Sequence, residues 1–244
     1  MDLIKNAQNE LLGCLETLSN QEIIQSKKRN IELLTKQFNR QNKLDPKLVE
    51  YLAKAKSKGY ESWQEAKKNS DFKIFLPFFE ELIQLRIEEA KQISDKYTPW
   101  ETLALRFEPD LTLEWLNNIF LPLKETIPSL LGELKKSEKY RWDLSPKSQQ
   151  NLCSKLLDEF GRDEDLVVVA KSPHPFSITL GPADYRITTR IVKGEPFSSF
   201  LATAHEWGHS IYEQGLPSQS HQWFAWPLGQ ATSMGIHESQ SLFW

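Results

Sequence analysis

Helical periodicity dominates about the first 145 residues of this chain, and it limits the fold more than any other feature of the sequence. Apolar side chains recur every three to four positions, a spacing that gathers them on one face of an α-helix. The periodic segments are residues 3–18, 20–42, 71–95 and 112–121. We therefore expect a mainly α-helical protein.

Residues 45–59, DPKLVEYLAKAKSKG, carry signals for both ends of a helix. Asp45 suits the N-cap, Pro46 suits the first helical position, and Gly59 predicts the end. Proline inside a helix removes a hydrogen bond and clashes with the preceding turn, so it favours a break. Shorter helices are therefore predicted beyond this segment, separated by the prolines at positions 99, 109, 122, 128 and 146.

The pattern changes near residue 165, where β-branched and alternating segments replace the helical period. DLVVVAK is too short and too rich in valine for a helix, while FSITL and DYRITTRI alternate polar and apolar side chains between turn signals. A small sheet of two or three strands is expected here.

After Gly194 the helical period returns in FSSFLATAHEWGHSIYEQ. Pro196 fits the first helical position, and Gly215 followed by Pro217 predicts the end. A second helix is expected to begin near Gly229 and to run to the last residue.

Charge and composition exclude several classes of function. The 244 residues carry a formal net charge of −3, which gives no electrostatic footprint for nucleic acid or an anionic membrane. The first 18 residues contain no uninterrupted apolar block, so neither a secretory signal nor a membrane anchor is expected. Cys14 and Cys153 predict no disulfide framework and are expected to be small buried side chains, and the cytoplasm is the expected location.

The segment HEWGH, residues 205–209, has the H-E-x-x-H spacing of zinc hydrolases. His205 and His209 lie on the same face of a helix, one turn apart, so both can offer a ring nitrogen to one ion. Glu206 can then reach a water bound to the metal and accept its proton. The alternative is a histidine pair hydrogen-bonded in a core beside a solvated glutamate.

A hydrolytic zinc site needs a third protein ligand. Tyr212 and Gly215 exclude the metzincin extension, and Glu213 lies about 12 Å of helical rise beyond His205. Glu238 is the only acidic residue after this helix, so a helix hairpin could bring it opposite the histidines, although an ordinary surface glutamate would look the same. His221 and His237 are interpreted as residues of a loop, or as residues that support the ligands without binding the ion, rather than as ligands.

Four segments together resemble one known family. They are HPF at residues 174–176 (His174, Pro175, Phe176), D-x-R-x-T at residues 184–188 (Asp184, Arg186, Thr188), the H-E-x-x-H helix, and HES at residues 237–239. In this order and spacing they are similar to the carboxypeptidase Taq metallocarboxypeptidases, peptidase family M32.

The resemblance implies a mainly α, zincin-like (gluzincin) fold with a small β-sheet beside the active-site helix and a deep groove. It implies one zinc or cobalt ion held by His205, His209 and Glu238, with Glu206 as general base. It also implies broad removal of C-terminal residues from peptides with a free C-terminus, commonly by a homodimer. Asp184 and Arg186 would edge the groove near the metal, or else form a structural ion pair that braces the strand against the helix.

This sequence departs from the family pattern after Trp244, where the I-R-x-x-A-D and G-x-x-Q-D-x-H-W segments are missing. We expect residues 1–244 to be the N-terminal portion of one truncated metallocarboxypeptidase domain, with a helical region over 1–145 and the sheet and metal helices over 165–244. The metal site is then open to solvent, activity of the chain alone is impaired, and apolar side chains project into water: Met234, Ile236, Leu242, Phe243 and Trp244.

Two alternatives to a carboxypeptidase fragment remain. Loss of the pocket for the substrate's free carboxylate would allow a self-sufficient endopeptidase. The chain could also be an inactive relic, a helical scaffold that needs a missing C-terminal half and whose motif no longer serves catalysis.

Overall fold

A computed structural model describes residues 2–19, 25–134 and 143–244 of the chain, with the side chains of residues 2–8 and 19 left aside. The chain divides into two compact units, Met1–Ile119 and Phe120–Trp244. Helices in the described part of the first unit are α1 Asp2–Ser19, α2 Gln25–Asn42, α3 Pro46–Asn69, α4 Leu76–Ile93 and α5 Pro99–Ala104. Helix α6, Leu113–Glu133, spans the boundary between the units.

The second unit combines helices with a small sheet. Its further elements are α7 Pro146–Glu159, β1 Val167–Lys171, β2 Phe176–Gly181, β3 Asp184–Thr189, α8 Pro196–Gln214 and α9 Met234–Phe243. The expectation of a mainly helical chain with a small sheet is confirmed.

Helix α3 begins as predicted but does not end as predicted. The Asp45 side chain accepts a hydrogen bond from the Lys47 backbone N–H at 2.8 Å, and Pro46 is the first helical residue. Gly59 does not end the helix, which continues to Asn69. Glycine in a helix interior costs only about 1 kcal/mol relative to alanine. Burial of the small-residue face that contains Gly59 and Ala66 therefore outweighs it.

The expected breaks at Pro122 and Pro128 are also wrong, because both prolines lie inside α6. Each proline removes a single backbone N–H, at a cost of about 3 kcal/mol, and leaves the hydrogen bonds of the neighbouring turns in place. Pro99 and Pro146, in contrast, open α5 and α7 as predicted.

The sheet is three-stranded with the order β1-β3-β2. Strand β3 pairs parallel with β1 and antiparallel with β2. One face of the sheet forms the core of the second unit together with α7 and α8. The buried members of this core are Leu157, Val167, Tyr185, Ile187 and Trp207.

A buried polar network fixes the first half of α8 against α7 and β3. Gln149 of α7 accepts a hydrogen bond from the Ser199 hydroxyl at 2.9 Å and donates to the carbonyl oxygens of Leu144 and Val192. Thr203 donates to the Thr189 hydroxyl at 2.9 Å. These bonds hold α8 in place over the residues that precede the H-E-x-x-H segment.

The ends of α8 agree with their sequence signals, whereas the start of α9 does not. Pro196 opens α8 and Gly215 follows its last residue, as predicted. Helix α9 begins at Met234 instead of near Gly229, because the Ser233 hydroxyl caps it there by accepting from the Ile236 N–H. Gly229 ends a short 3₁₀ turn so tight that a Cβ would lie 2.0 Å from the Trp223 carbonyl oxygen.

Two further expectations concern the cysteines and the membrane. Cys153 is buried as predicted, but Cys14 is exposed because its neighbour Leu15 takes the inward position on α1. Among the described residues, no helix combines the length and the apolar character needed to cross a membrane.

Candidate metal centre

Three side chains from α8 and α9 converge beside the sheet. His205 and His209 lie one turn apart on α8, and each directs its Nε2 atom towards the carboxylate of Glu238 on α9. The Nε2 to carboxylate-oxygen distances are 3.6 Å for His205 and 3.5 Å for His209. One ligand atom from each of the three residues lies within 4.8 Å of the other two.

This group fits a divalent metal ion in both chemistry and spacing. Two imidazole nitrogens with one carboxylate oxygen form a donor set typical of catalytic zinc. Atoms bound to one tetrahedral zinc at about 2.0–2.1 Å lie about 3.3 Å apart. The two histidine–carboxylate separations of 3.6 and 3.5 Å are close to that value, and all three ligand atoms lie within 4.8 Å of one another, so side-chain adjustments alone could bring the three residues onto one ion.

The middle of the motif explains why α9 can bring Glu238 so close. A Cβ on Gly208 would lie 2.6 Å from Ser241 Cα and 2.7 Å from the Gln240 carbonyl oxygen, closer than any side chain allows. Only glycine therefore lets the backbones of α8 and α9 approach at this point. Glu238 lies about one turn before Ser241, and the Ser241 hydroxyl donates to its carbonyl oxygen at 2.7 Å.

Glu206 follows His205 in the sequence, and its side chain is buried. It is not one of the three converging residues. Burial raises its pKa to about 7, and the negative charge of Glu238 adds to the rise. A carboxyl group with a pKa near neutrality can both accept and release a proton at physiological pH. The next residue, Trp207, points the other way into the core and is fully buried.

His209 is connected on its other side to a second histidine and a second carboxylate. Its Nδ1 lies 2.6 Å from His237 Nδ1, and His237 Nε2 lies 2.9 Å from a carboxylate oxygen of Glu213. Burial lowers the pKa of His209, and the neighbouring His237 and His205 lower it further. From the sequence, Glu213 is too distant from His205 to be a ligand. Its position four residues after His209 places both on one face of α8, but the connection between them runs through His237 of α9, which the sequence did not indicate.

Comparison with known proteins identifies the family to which these segments belong. The family model described as carboxypeptidase Taq (M32) metallopeptidase matches residues 3–244. The chain belongs to this family. The resemblance of the four sequence segments to M32 is thereby confirmed.

The M32 relatives are substantially longer than this chain. Carboxypeptidase 1 of Bacillus subtilis (strain 168) is 33% identical over 230 residues, which cover 91% of this chain and 45% of that protein. Thermostable carboxypeptidase 1 of Thermus thermophilus is 31% identical over 231 residues, covering 88% and 44%. The chain therefore spans about half the length of the curated relatives it matches.

A solved structure shares the fold of this M32 chain. The crystal structure described as BsuCP superposes with a TM-score of 0.84 at 30% sequence identity, covering 96% of this chain and 48% of that one.

Asp184 and Arg186, the other candidate site residues of this M32 chain, form an ion pair within β3. The Arg186 Nε and Nη2 atoms donate to the two Asp184 carboxylate oxygens, each at 2.8 Å. Both side chains are partly exposed and alternate with Tyr185 and Ile187, which face the core. The pair therefore lies on the sheet face opposite α8, and the Arg186 guanidinium lowers the pKa of Asp184.

The HPF segment of the family leads into β2. His174 Nδ1 lies 2.6 Å from the Pro175 carbonyl oxygen, and the Phe176 backbone N–H donates to the Thr188 hydroxyl at 3.0 Å. His221, interpreted from sequence as a loop residue, is exposed and accepts from the Trp223 N–H through Nδ1.

Proposed function

We propose that the protein carrying this chain is a metal-dependent carboxypeptidase and that His205, His209 and Glu238 hold its ion. One observation carries the proposal: two imidazole nitrogens of one helix and a carboxylate of the next face each other at 3.5–3.6 Å. Family membership supports the same chemistry, because the relatives are named carboxypeptidases.

The ion at this site would be zinc, with cobalt as the alternative, since histidine nitrogen and carboxylate oxygen suit both. When bound, it supplies a Lewis acid that lowers the pKa of water and polarises a peptide carbonyl. Glu206 remains free to work as the general base because it is not among the three converging groups.

The proton transfers follow from the position of Glu206. Its carboxylate accepts a proton from the attacking water while the water oxygen bonds to the scissile carbonyl carbon. The same group then gives the proton to the amine nitrogen as the C–N bond breaks, which releases the C-terminal amino acid. A pKa near neutrality in the metal-free chain suits a group that must both accept and donate.

The substrates proposed are peptides with a free C-terminus and little restriction on the terminal residue. Glu238 is about half-exposed, so a peptide can reach the centre from solvent, and the breadth of specificity is proposed from the resemblance to the family. By the same resemblance we propose that the protein is a cytoplasmic homodimer. Sedimentation of the purified protein measures whether it forms a dimer.

Hydrolysis of matched peptides tests the reaction. The zinc-loaded protein is expected to release the last residue of an N-blocked peptide with a free C-terminus, and to leave the C-terminally amidated peptide intact. A chelator should stop the release and added zinc should restore it. Internal cleavage of both peptides would instead identify an endopeptidase, and no cleavage by the zinc-loaded whole protein that carries this chain would leave only the scaffold hypothesis.

We also propose, on the resemblance to the family, that Asp184 and Arg186 edge the substrate groove from the exposed face of β3, the face that does not pack against α8. The bidentate pair fixes the guanidinium plane at a partly exposed position, where it can still bind an anionic group. Arg186→Gln is expected to raise KM with little change in kcat, because it removes binding rather than chemistry. An unchanged KM would mean that the pair serves β3 alone.

A further inference from the structure

We propose that Glu213 and His237 form a hydrogen-bonded relay that orients His209 and increases its strength as a metal ligand. The relay consists of His209 and Glu213 on α8 and His237 on α9. It rests on the metal centre of the proposed function, and it assigns positioning roles to two residues that do not touch the ion.

The ring nitrogens of His209 are fully accounted for. Its Nε2 faces Glu238 at 3.5 Å, so this nitrogen must keep its lone pair free for an ion. The proton of the neutral ring is then on Nδ1, 2.6 Å from His237 Nδ1. His209 therefore donates and His237 accepts.

The same reasoning continues to Glu213. Because His237 Nδ1 accepts, the proton of its neutral ring is on Nε2, 2.9 Å from the Glu213 carboxylate oxygen. An ionised carboxylate only accepts hydrogen bonds, so this direction is the one that satisfies both partners. The tautomers of both histidines are thus determined by the groups at the two ends of the relay, the metal site and Glu213.

Burial makes the relay effective. The side chains of His209, His237 and Glu213 are 15%, 19% and 25% exposed, so water screens their interactions only partly. The negative charge of Glu213 stabilises the Nε2–H of His237, and through that ring it increases the electron density on His209. A ligand whose ring is fixed and more basic binds a metal ion more tightly.

The relay also joins the two helices that supply the ligands. His237 is adjacent to Glu238 on α9, and Tyr212 of α8 packs its ring edge-on against His237 with centroids 5.1 Å apart. A purely structural clamp would make the same contacts. It differs from the relay because a clamp depends on side-chain shape, whereas the relay depends on the charge of Glu213 and on the hydrogen-bonding nitrogens of His237.

Zinc affinity of charge-matched variants tests the relay. Glu213→Gln keeps the shape and removes the charge, and it is expected to weaken zinc binding about 10-fold, the lower end for partners of metal-bound histidines. His237→Asn keeps an acceptor for His209 and loses the contact with Glu213, so it should weaken binding by a similar factor. The double variant should be no weaker than His237→Asn alone, because Glu213 acts only through His237.

The control is Glu195→Gln, which removes an exposed carboxylate at the start of the same helix. Competition with a chromophoric chelator gives the dissociation constants, and urea unfolding of the metal-free proteins shows whether each variant is folded. Zinc binding by Glu213→Gln as tight as that of the parent chain would overturn the relay, as would additive losses in the double variant.

A measurement without metal separates this inference from the proposed function. In the metal-free chain, at a pH where the imidazoles are neutral, ¹⁵N NMR should place the His237 proton on Nε2, and Glu213→Gln should weaken that preference, because a neutral amide can present either its oxygen or its NH2 group to the ring. Failure of the parent chain to bind zinc would contradict the metal centre. A His237 proton on Nδ1 would contradict the relay, whatever the result with zinc.

Discussion

The position of Glu206 in this site determines its proposed chemical role. Its neighbours in sequence, His205 and Trp207, face the metal group and the core respectively, and it is buried between them without joining the three converging side chains. Its proposed role is therefore proton transfer, which depends on a titratable group and not on metal binding.

Glu206→Gln should remove peptide hydrolysis while leaving zinc in place. The amide has nearly the same shape but cannot accept the proton, and general bases of this kind contribute about 100- to 10,000-fold to the rate. Turnover on the N-blocked peptide and zinc content of the same sample measure the two effects. Undiminished turnover would rule out the role as base, and Glu195→Gln provides a control that should behave as the parent chain.

Some residues of the candidate site could be predicted from the sequence, and others could not. The histidine pair follows from helical spacing, and Glu238 was a candidate because no other acidic residue follows the motif helix. The role of Gly208 was hidden, since the atoms it accommodates belong to residues more than 30 positions later in the chain. The link between Glu213 and His237 was hidden for the same reason, because it requires the packing of two helices.

At the scale of elements, the crossing of α8 and α9 sets the geometry of the metal centre. Gly208→Ala should push α9 away, because the added Cβ would meet backbone atoms at 2.6 and 2.7 Å. We expect the free energy of unfolding to fall by about 1–3 kcal/mol, as for other overpacked sites, and zinc affinity to fall with it. Urea unfolding and zinc titration measure the two changes.

Gly59→Ala is the matched control for this substitution. An added Cβ there meets its nearest neighbour, Phe75, at 4.0 Å, which is an ordinary contact. Since alanine is favoured over glycine in helix interiors, this variant should stabilise α3 by up to about 1 kcal/mol. A Gly208→Ala variant with the stability and zinc affinity of the parent chain would mean that the close crossing does not position Glu238.

The buried polar network that joins α8 to α7 and β3 also acts at the scale of elements. Gln149→Met fills a similar volume but removes the acceptor of the buried Ser199 hydroxyl and the amide that donates to the partly buried carbonyl oxygens of Leu144 and Val192. We expect the free energy of unfolding to fall by about 2 kcal/mol, the cost of unpaired buried polar groups. Asn151→Met on the exposed side of α7 should cause little change, and equal stabilities of the two variants would contradict the account.

Element boundaries were predictable where a local signal determines them and unpredictable where packing does. Asp45, Pro196 and Gly215 mark ends that depend on their own backbone and side-chain chemistry. Gly59 and Pro122 carry equally strong local signals, yet they lie inside helices because the surrounding turns offset a cost confined to one position.

At the scale of the whole molecule, the described chain presents much apolar surface near its metal centre. Leu242 and Phe243 of α9 are 74% and 81% exposed, and Met234, Ile236 and Trp244 are exposed as the sequence led us to expect. Surface of this kind favours association with other apolar surface. The chain spans about half the length of the M32 relatives it matches, so the activity we propose belongs to the whole protein that carries it.

Zinc titration of the protein and its three ligand variants tests the central claim most directly. The protein should bind one zinc ion per chain. His205→Ala, His209→Ala and Glu238→Ala should each lower the affinity by more than Glu213→Gln does, because each removes an atom bound to the ion. Parent-like zinc binding by Glu238→Ala would contradict the claim that α8 and α9 together form the metal centre.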